Sequence, residues 1–389
     1  MNHEPSTIND QRSTINHQRS MINDQRSTMN NSQLNRDFWR DKKVLITGHT
    51  GFKGSWLTLW LESWGARVAG YSLEPPSVPS LFECARIKDT VESIHGDVRD
   101  LNKLISVFES QEPEIVVHMA AQALVRRSYS DPVETYSTNV MGTVNLLEGI
   151  RVTSSVRVAI IVTSDKCYEN KEWLWPYREN EPLGGHDPYS SSKACAEMVT
   201  QAYRRSFFHA TMDKPNCALV ATARAGNVIG GGDWATDRLM PDIVRAFING
   251  ELAIIRNPSA VRPWQHVLDP LNGYLMLIER LWQGNAEFAD AWNFGPDFYD
   301  ARPVSWVVDK LATLWGNGAS WTTDKSCQPH EAHSLTLDST KARAALHWEP
   351  ILNIENALKW TFEWYRDCCK GIDPRELTLR QLRFFQEVT

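Results

Sequence analysis

Several things are scarce in this 389-residue chain, and each scarcity excludes a class of function. No apolar run approaches the roughly 18 residues that a membrane span needs. The N-terminus also lacks a hydrophobic signal core, so the expectation is a cytoplasmic protein with no membrane partner. Positive charge is not in excess: 41 Lys and Arg stand against 47 Asp and Glu, a formal net charge of -6, where a nucleic-acid-binding face would call for a basic surplus. Cysteines number seven. Only Cys368 and Cys369 are close in sequence, adjacent cysteines do not make a CxxC, and the reading is reduced thiols with no metal site. What is present is ordinary for a globular chain, 42% hydrophobic and 23% charged, long enough for one large or two medium domains around a sizeable core. The sixteen tryptophans read mostly as core or interface residues.

Residues 1–36 stand apart. "INDQRST", "INHQRSM" and "INDQRST" repeat with a period of seven between Ile8 and Thr28. Each repeat offers too few apolar residues for a coiled-coil seam, which needs two per heptad. This polar, aromatic-free stretch is expected to be a disordered tail without assigned function.

From about Phe38 the pattern changes. "KKVLITG" (42–48), "ARVAGYSL" (66–73), "PEIVVHMAA" (113–121) and "VRVAIIVTSD" (156–165) read as short apolar strands, with helices at 55–65 and 143–151. Continuously apolar strands alternating with helices predict a parallel sheet covered on both faces. The expected fold class is α/β, a Rossmann-type doubly wound parallel sheet over 37–225. Beyond 225 the pattern loosens into Gly-, Pro- and Trp-rich loops with helices near 241–250 and 270–284. A smaller C-terminal α/β substrate-binding unit over 226–389 is expected there, closing on the carboxyl edge of the sheet, where such folds bind ligands.

Gly48, Gly51 and Gly54 form G-x-x-G-x-x-G between the first strand and the first helix. Glycines let the backbone approach a pyrophosphate held at the helix N-terminus, so a dinucleotide is expected on this loop, with Phe52 and Lys53 inside it. An acid that binds the ribose should follow about 20 residues on. Here Ser72 holds that place, and no Arg follows to suit a 2′-phosphate. "GDVRD" puts Asp97 and Val98 after a third short strand. Asp97 reads either as an acceptor for an adenine amino group or as a turn-forming residue. Ala120 and Ala121 in "HMAAQ" are small enough to let a dinucleotide pass.

Tyr189 and Lys193 in "PYSSSKACAE" lie four apart, on one face of a helix. A phenol with a pKa near 10 is a poor base until an ammonium one turn away stabilises its phenolate. Upstream, "VTSDKCYEN" places Asp165 beside Lys166 at a strand end, either a surface charge pair or an acid and a base.

These stretches, with "TGHTGFKGSW", "STNVMGT" and "ARAGNVIGGGDW", resemble the extended short-chain dehydrogenases/reductases that modify nucleotide sugars, over about residues 40 to 350. The resemblance implies NAD as cofactor and gives roles to the side chains. Ser164, Asp165, Lys166, Tyr189 and Lys193 would be catalytic: Tyr189 takes the O4 proton, Lys193 holds the cofactor ribose, and Ser164 donates to the O4 oxygen. In this family, epimerases carry small or neutral residues after the Ser/Thr, whereas 4,6-dehydratases carry Asp-Glu. Ser164-Asp165-Lys166 has Lys where the Glu would stand, which points to the branch acting on CDP-glucose, whose product feeds deoxysugars for bacterial surface polysaccharide. Asp165 would protonate the C6 hydroxyl as water leaves, and Lys166 would remove the C5 proton. Because a lysine ammonium ordinarily titrates near 10.4, the alternative for Lys166 is a pairing with a carboxylate or a substrate phosphate. Asn227, Arg238 and Arg262, with Arg224 and His266 nearby, would hold the pyrophosphate and nucleotide. Asn139 would brace the strand carrying Ser164. The family also implies a homodimer or homotetramer. A C4 epimerase, and a cofactor-binding sensor without catalysis, are the competing readings.

Overall fold

The computed structural model describes residues 34–209, 217–326, 332 and 334–388. The heptapeptide repeat therefore lies outside the described residues. Asn35 already caps a short helix, Arg36–Trp39, by accepting from the backbone N–H groups of Asp37 and Phe38.

Seven parallel strands form the central sheet. They are β1 (Lys43–Thr47), β2 (Arg67–Ser72), β3 (Glu92–His95), β4 (Ile115–His118), β5 (Val158–Val162), β6 (Leu219–Ala225) and β7 (Ala291–Phe294). In space they run 7-6-5-4-1-2-3. The order reverses between β1 and β4, the switch point at which ligands bind in open sheets of this kind. β7 comes from the stretch assigned by sequence to the second unit, so the chain returns to the sheet after residue 226.

The apolar strands are explained by their two faces. Val44 and Ile46 of β1, with Val117 of β4 and Ile160 of β5, belong to one core. Their neighbours Leu45, Val116 and Ile161 belong to the other. Successive side chains on a strand point to opposite faces, so a strand buried on both sides has no polar alternation. On the first face pack α1 (Phe52–Ser63), through Trp56, Leu59 and Trp60, and a later helix, Leu268–Trp282. On the second face pack α2 (Leu101–Gln111), through Leu104 and Phe108, and α3 (Gly142–Val152), through Leu146 and Ile150.

α4 (Pro188–Ser206) begins where its sequence dictates. Asp187 accepts from the Ser190 N–H and Ser190 Oγ, and Pro188 occupies the first turn. Its fixed φ suits a helix start and its missing N–H costs nothing there. Past β6, the helix Leu239–Ile248 and three small two-stranded pairings build the other wall of the ligand cavity. Among the described residues no helix is long and apolar enough to cross a membrane.

Candidate active site

A cavity of about 990 Å³ runs along the carboxyl ends of the strands. Its floor is the turn between β1 and α1. Gly48 has φ +78°, and a Cβ there would stand 2.7 Å from the Ala120 nitrogen; one at Gly54 would stand 2.1 Å from the Gly48 carbonyl oxygen. The loop thus lies against the β4 end more closely than any side chain would allow. Gly48, Gly51, Phe52, Lys53 and Gly54 line this end together with Ser72, Asp97, Val98, Ala120 and Ala121. Ser72 Oγ hydrogen-bonds Thr50 Oγ1 at 2.7 Å. The Asp97 carboxylate accepts from Arg99 Nε at 2.9 and 3.0 Å and from its N–H at 2.9 Å. Arg99 hydrogen bonds hold Asp97 below the usual carboxylate range.

The reacting end is built from β5 and α4. Beyond Val162 the chain makes a single turn, Asp165–Cys167, with Ser164 as its cap. Ser164 Oγ donates to Asp165 Oδ1 at 2.9 Å and accepts from the Lys166 N–H at 3.2 Å. Asp165 Oδ2 is buried with no partner. A Cβ at Gly226 would lie 3.0 Å from that oxygen, so glycine keeps the space beside it open. Burial pushes the Tyr189 phenol up to about 12, while a hydrogen bond with Ser164 pulls it down. Lys193 donates to the Val162 carbonyl at 3.4 Å. Burial lowers its ammonium to about 8 although Glu197 and Cys167 favour the charged form. Lys53 reaches the same region: burial, then the charges of Lys193 and Arg238, lower it to about 7, with Asp165 opposing.

Most of the residues singled out from sequence therefore line one cavity: Ser164, Asp165, Lys166, Tyr189, Lys193, Asn227, Arg238, Arg262 and the whole cofactor-loop set. Arg238 is held by Asp233 at 3.2 Å, whose charge raises its pKa. Three residues differ from expectation. His266 is fully buried, edge-on to Trp56 and Trp360, and does not line the cavity; burial lowers it to about 3, so it is a neutral core histidine. Arg224 is likewise buried away from the cavity in an ion pair with Glu197 at 2.8 Å. Asn139 braces different elements from those expected: it receives the Gln122 N–H and donates to Gln122 O and Ser192 Oγ, tying the β4 loop to α4.

The sequence reading also passed over cavity residues. Glu74, two positions past Ser72, lines the cofactor end, and its carboxylate opposes a 2′-phosphate. Arg126 and Arg256, on opposite walls, both approach Asp237, at 3.6 and 3.1 Å. Arg126 follows the "HMAAQ" strand end with no motif to give it a role. Arg256 in "IIRNPS" carries no local signal at all.

The arrangement is a dinucleotide cradle facing a Ser/Asp/Lys turn and a Tyr-x-x-x-Lys helix across one cleft. The chain belongs to the GDP-mannose 4,6 dehydratase family, whose family model matches residues 45–361. Among characterised proteins it is similar to CDP-glucose 4,6-dehydratase of Salmonella typhimurium, with 51% identity over 356 residues that cover 92% of this chain and 99% of the relative. The fold is shared with UDP-glucose 4-epimerase of Thermotoga maritima bound to UDP-glucose (TM-score 0.73, 23% identity, 84% of this chain and 99% of that one). It is shared equally with dTDP-glucose 4,6-dehydratase of Bacillus anthracis in complex with NAD (TM-score 0.69, 23% identity, 85% and 99%).

Proposed function

We propose that the protein is an NAD-dependent 4,6-dehydratase converting CDP-D-glucose to CDP-4-dehydro-6-deoxy-D-glucose and water. The observation that carries this reading is the Ser164-Asp165-Lys166 turn, set beside Tyr189 and Lys193 in a single cavity with the glycine loop. An epimerase has no use for an acid and an amine side by side at that point. The identity to the Salmonella dehydratase supports the same reaction and the same base.

The residues at the cofactor end fit a dinucleotide: backbone N–H groups at the start of α1, no side chains on the loop at 48, 51 and 54, and hydroxyls and carboxylates for the sugar and adenine. NAD bound there would supply a hydride acceptor for C4 of the sugar, a hydride donor for C6 and a positive charge beside them. The chain's own groups move the protons. Tyr189, as the phenolate, accepts the O4 proton, helped by the Lys193 charge and by Ser164, whose one hydroxyl proton turns from Asp165 Oδ1 to O4 where negative charge develops. With a ketone at C4, the C5 proton is acidic enough for Lys166 to remove. Asp165 has one oxygen engaged by Ser164 and one free beside Gly226. That free oxygen delivers the proton with which the C6 hydroxyl leaves as water. Lys166 then returns a proton to C5 as C6 is reduced, which leaves Tyr189 protonated and Asp165 ionised; as the C4 ketone product departs, Tyr189 gives its proton to solvent and Asp165 takes one back. Arg238, Arg262 and Asn227 bind the diphosphate end.

The protein also self-associates in this reading, as a homodimer or homotetramer. Val133, Met141 and Met198, at 78%, 51% and 58% exposure, are exposed apolar side chains on the two short helical segments before α3 (Pro132–Tyr136 and Ser137–Met141) and on α4. Its product supplies deoxysugar synthesis for surface polysaccharide in the cytoplasm. Incubation with CDP-, dTDP-, GDP- and UDP-glucose tests the core claim. A 4-keto-6-deoxy sugar from CDP-glucose, with no net NADH, is expected. CDP-galactose would make it an epimerase, and no product from any of the four would make it a binding protein.

A further inference from the structure

We propose that Glu197 and Arg224 are positioning residues of this reaction, forming with Thr163 and Tyr168 a buried ring that clamps the Ser164-Asp165-Lys166 segment at both ends and sets a carboxylate one turn of α4 from Lys193. The proposal rests on the dehydratase reading above. Its geometry is closed. Glu197 lies on α4 one turn beyond Lys193 and two beyond Tyr189, and is 3% exposed. Its Oε1 accepts from Thr163 Oγ1, the residue immediately before Ser164, at 2.5 Å. Its Oε2 accepts from Thr222 Oγ1 at 2.7 Å and from Arg224 at 2.8 Å. Arg224 Nη1 donates to Tyr168 Oη at 2.7 Å and to the Glu179 carbonyl at 3.1 Å, while its Nε is buried without a hydrogen-bond partner. Tyr168 is the residue immediately after the turn, and its hydroxyl donates in turn to Asn293 Oδ1 at 2.8 Å. One carboxylate and one guanidinium therefore fix both flanks of the three residues that face the substrate, from the side away from the cavity.

A buried ion pair is weak evidence for stability, since burying two charges costs about as much as their attraction returns. Its retention under a reacting turn calls for a positional reason. Catalytic groups lose rate when misplaced by as little as about 1 Å, and this segment is only one short helical turn, Asp165–Cys167, which its own backbone holds weakly. The charge matters as well. Lys193 faces Glu197 and Tyr189 along α4, Cys167 on the turn, Lys53 on the glycine loop and His118 at the end of β4. Glu197 itself faces Arg224, Arg204 and Cys167. Of the groups around Lys193, Glu197 contributes most to keeping the ammonium charged against burial.

The test compares wild type with Glu197→Gln, Thr163→Val and the double variant Glu197→Met/Arg224→Met, each checked for folding by circular dichroism. Glu197→Gln keeps the shape and removes the charge. The titration of Lys193, followed by NMR on protein carrying 13Cε-lysine and assigned by its loss in Lys193→Met, is expected to move down by about one pH unit. The alkaline limb of CDP-glucose turnover should follow it. Thr163→Val removes one hydrogen bond and no charge. It is expected to lower kcat about fivefold, the loss of roughly 1 kcal/mol, with KM and the alkaline limb unchanged. The double variant exchanges the buried pair for apolar volume and should fold even where the single one does not; because it removes a cation with the anion, its Lys193 titration is expected to fall by less than that of Glu197→Gln. An unmoved Lys193 titration in both charge-removing variants overturns the proposal, as does an unchanged kcat in Thr163→Val. The NMR readout does not need the substrate, so wild type that ignores CDP-glucose would refute the dehydratase reading while leaving the effect of Glu197 on Lys193 measurable.

Discussion

The two ends of the cavity are built by opposite means. At the cofactor end the protein clears its side chains away: glycines at 48, 51 and 54, alanines at 120 and 121, and backbone N–H groups at the start of α1. At the reacting end it crowds them together: Ser164, Asp165, Lys166, Tyr189, Lys193 and Lys53, backed by a buried network running through Glu197 and Arg224 to Asn293. A dinucleotide is the same ligand in every turn of the reaction and is bound by shape. The sugar passes through several protonation states and needs groups whose pKa values are set by neighbours. The cofactor end is thus sensitive to added volume and the reacting end to removed charge.

Removing function at the reacting end gives the largest effects. Tyr189→Phe is expected to lower CDP-glucose turnover by about 10³-fold, the usual worth of a general acid–base group, with cofactor retention intact. Turnover within tenfold of wild type would show that another group moves the O4 proton. Next comes Lys166→Met, expected to leave C4 oxidation and abolish dehydration, so that NADH absorbance accumulates in the enzyme while no 4-keto-6-deoxy product forms. Overall turnover should fall by at least about 10²- to 10³-fold, the range of a lost proton-transfer group. Normal turnover in this variant would shift the base role to Lys53, whose amine burial and its cationic neighbours hold at about 7. Lys53→Met would then carry the defect instead.

The same contrast explains what was legible in the sequence. The cofactor end is written locally: a glycine at 48 is favoured by its left-handed φ and one at 54 by a contact with the Gly48 carbonyl within the same turn, and the apolar runs of β1, β4 and β5 are forced by burial on both faces. The Tyr189/Lys193 pair was legible because both lie on one helix face. β6 and β7 were not, since "LVATARA" and "AWNF" carry polar side chains that are satisfied only by the tertiary structure, Arg224 by Glu197 and Asn293 by Tyr168, Tyr177 and Asp338. For the same reason Arg224 read as a phosphate-binding cation: its partner lies 27 residues away on another element. His266 sits one turn of chain from Arg262, yet its ring points into a core of tryptophans, a direction no spacing rule encodes.

Added volume at the cofactor end should do less than lost charge at the reacting end. Gly48→Ala places a side chain at φ +78° with its Cβ 2.7 Å from the Ala120 nitrogen. The left-handed conformation alone costs about 1–2 kcal/mol for an L-residue, and the backbone contact has to open as well. The expected result is NAD retention weakened by about 10- to 100-fold on a retained fold, with activity restored by excess NAD. Loss that excess NAD does not restore would place the damage in the sheet rather than in the cradle.

The smallest effect is also the one that decides between the two readings of Asp97. Its carboxylate is held by the Arg99 N–H and guanidinium, which is compatible both with a turn and with an acceptor presented to adenine, because a carboxylate has lone pairs to spare for a further donor. Asp97→Asn separates them. Asparagine forms the same kind of turn and keeps one acceptor oxygen, but it loses the charge that pairs with Arg99. If Asp97 only shapes the turn, NAD affinity stays as it was. If it receives the adenine amino group, affinity falls about fivefold, roughly the 1 kcal/mol by which a hydrogen bond to a charged acceptor exceeds one to the neutral amide oxygen that remains. Arg99, released from its partner beside the ribose end, would at the same time narrow the preference for NAD over NADP, and Glu74 would be left alone to oppose the 2′-phosphate. A fall in NAD affinity with a narrowed NADP ratio would show that at this one point the cofactor end, too, is governed by charge.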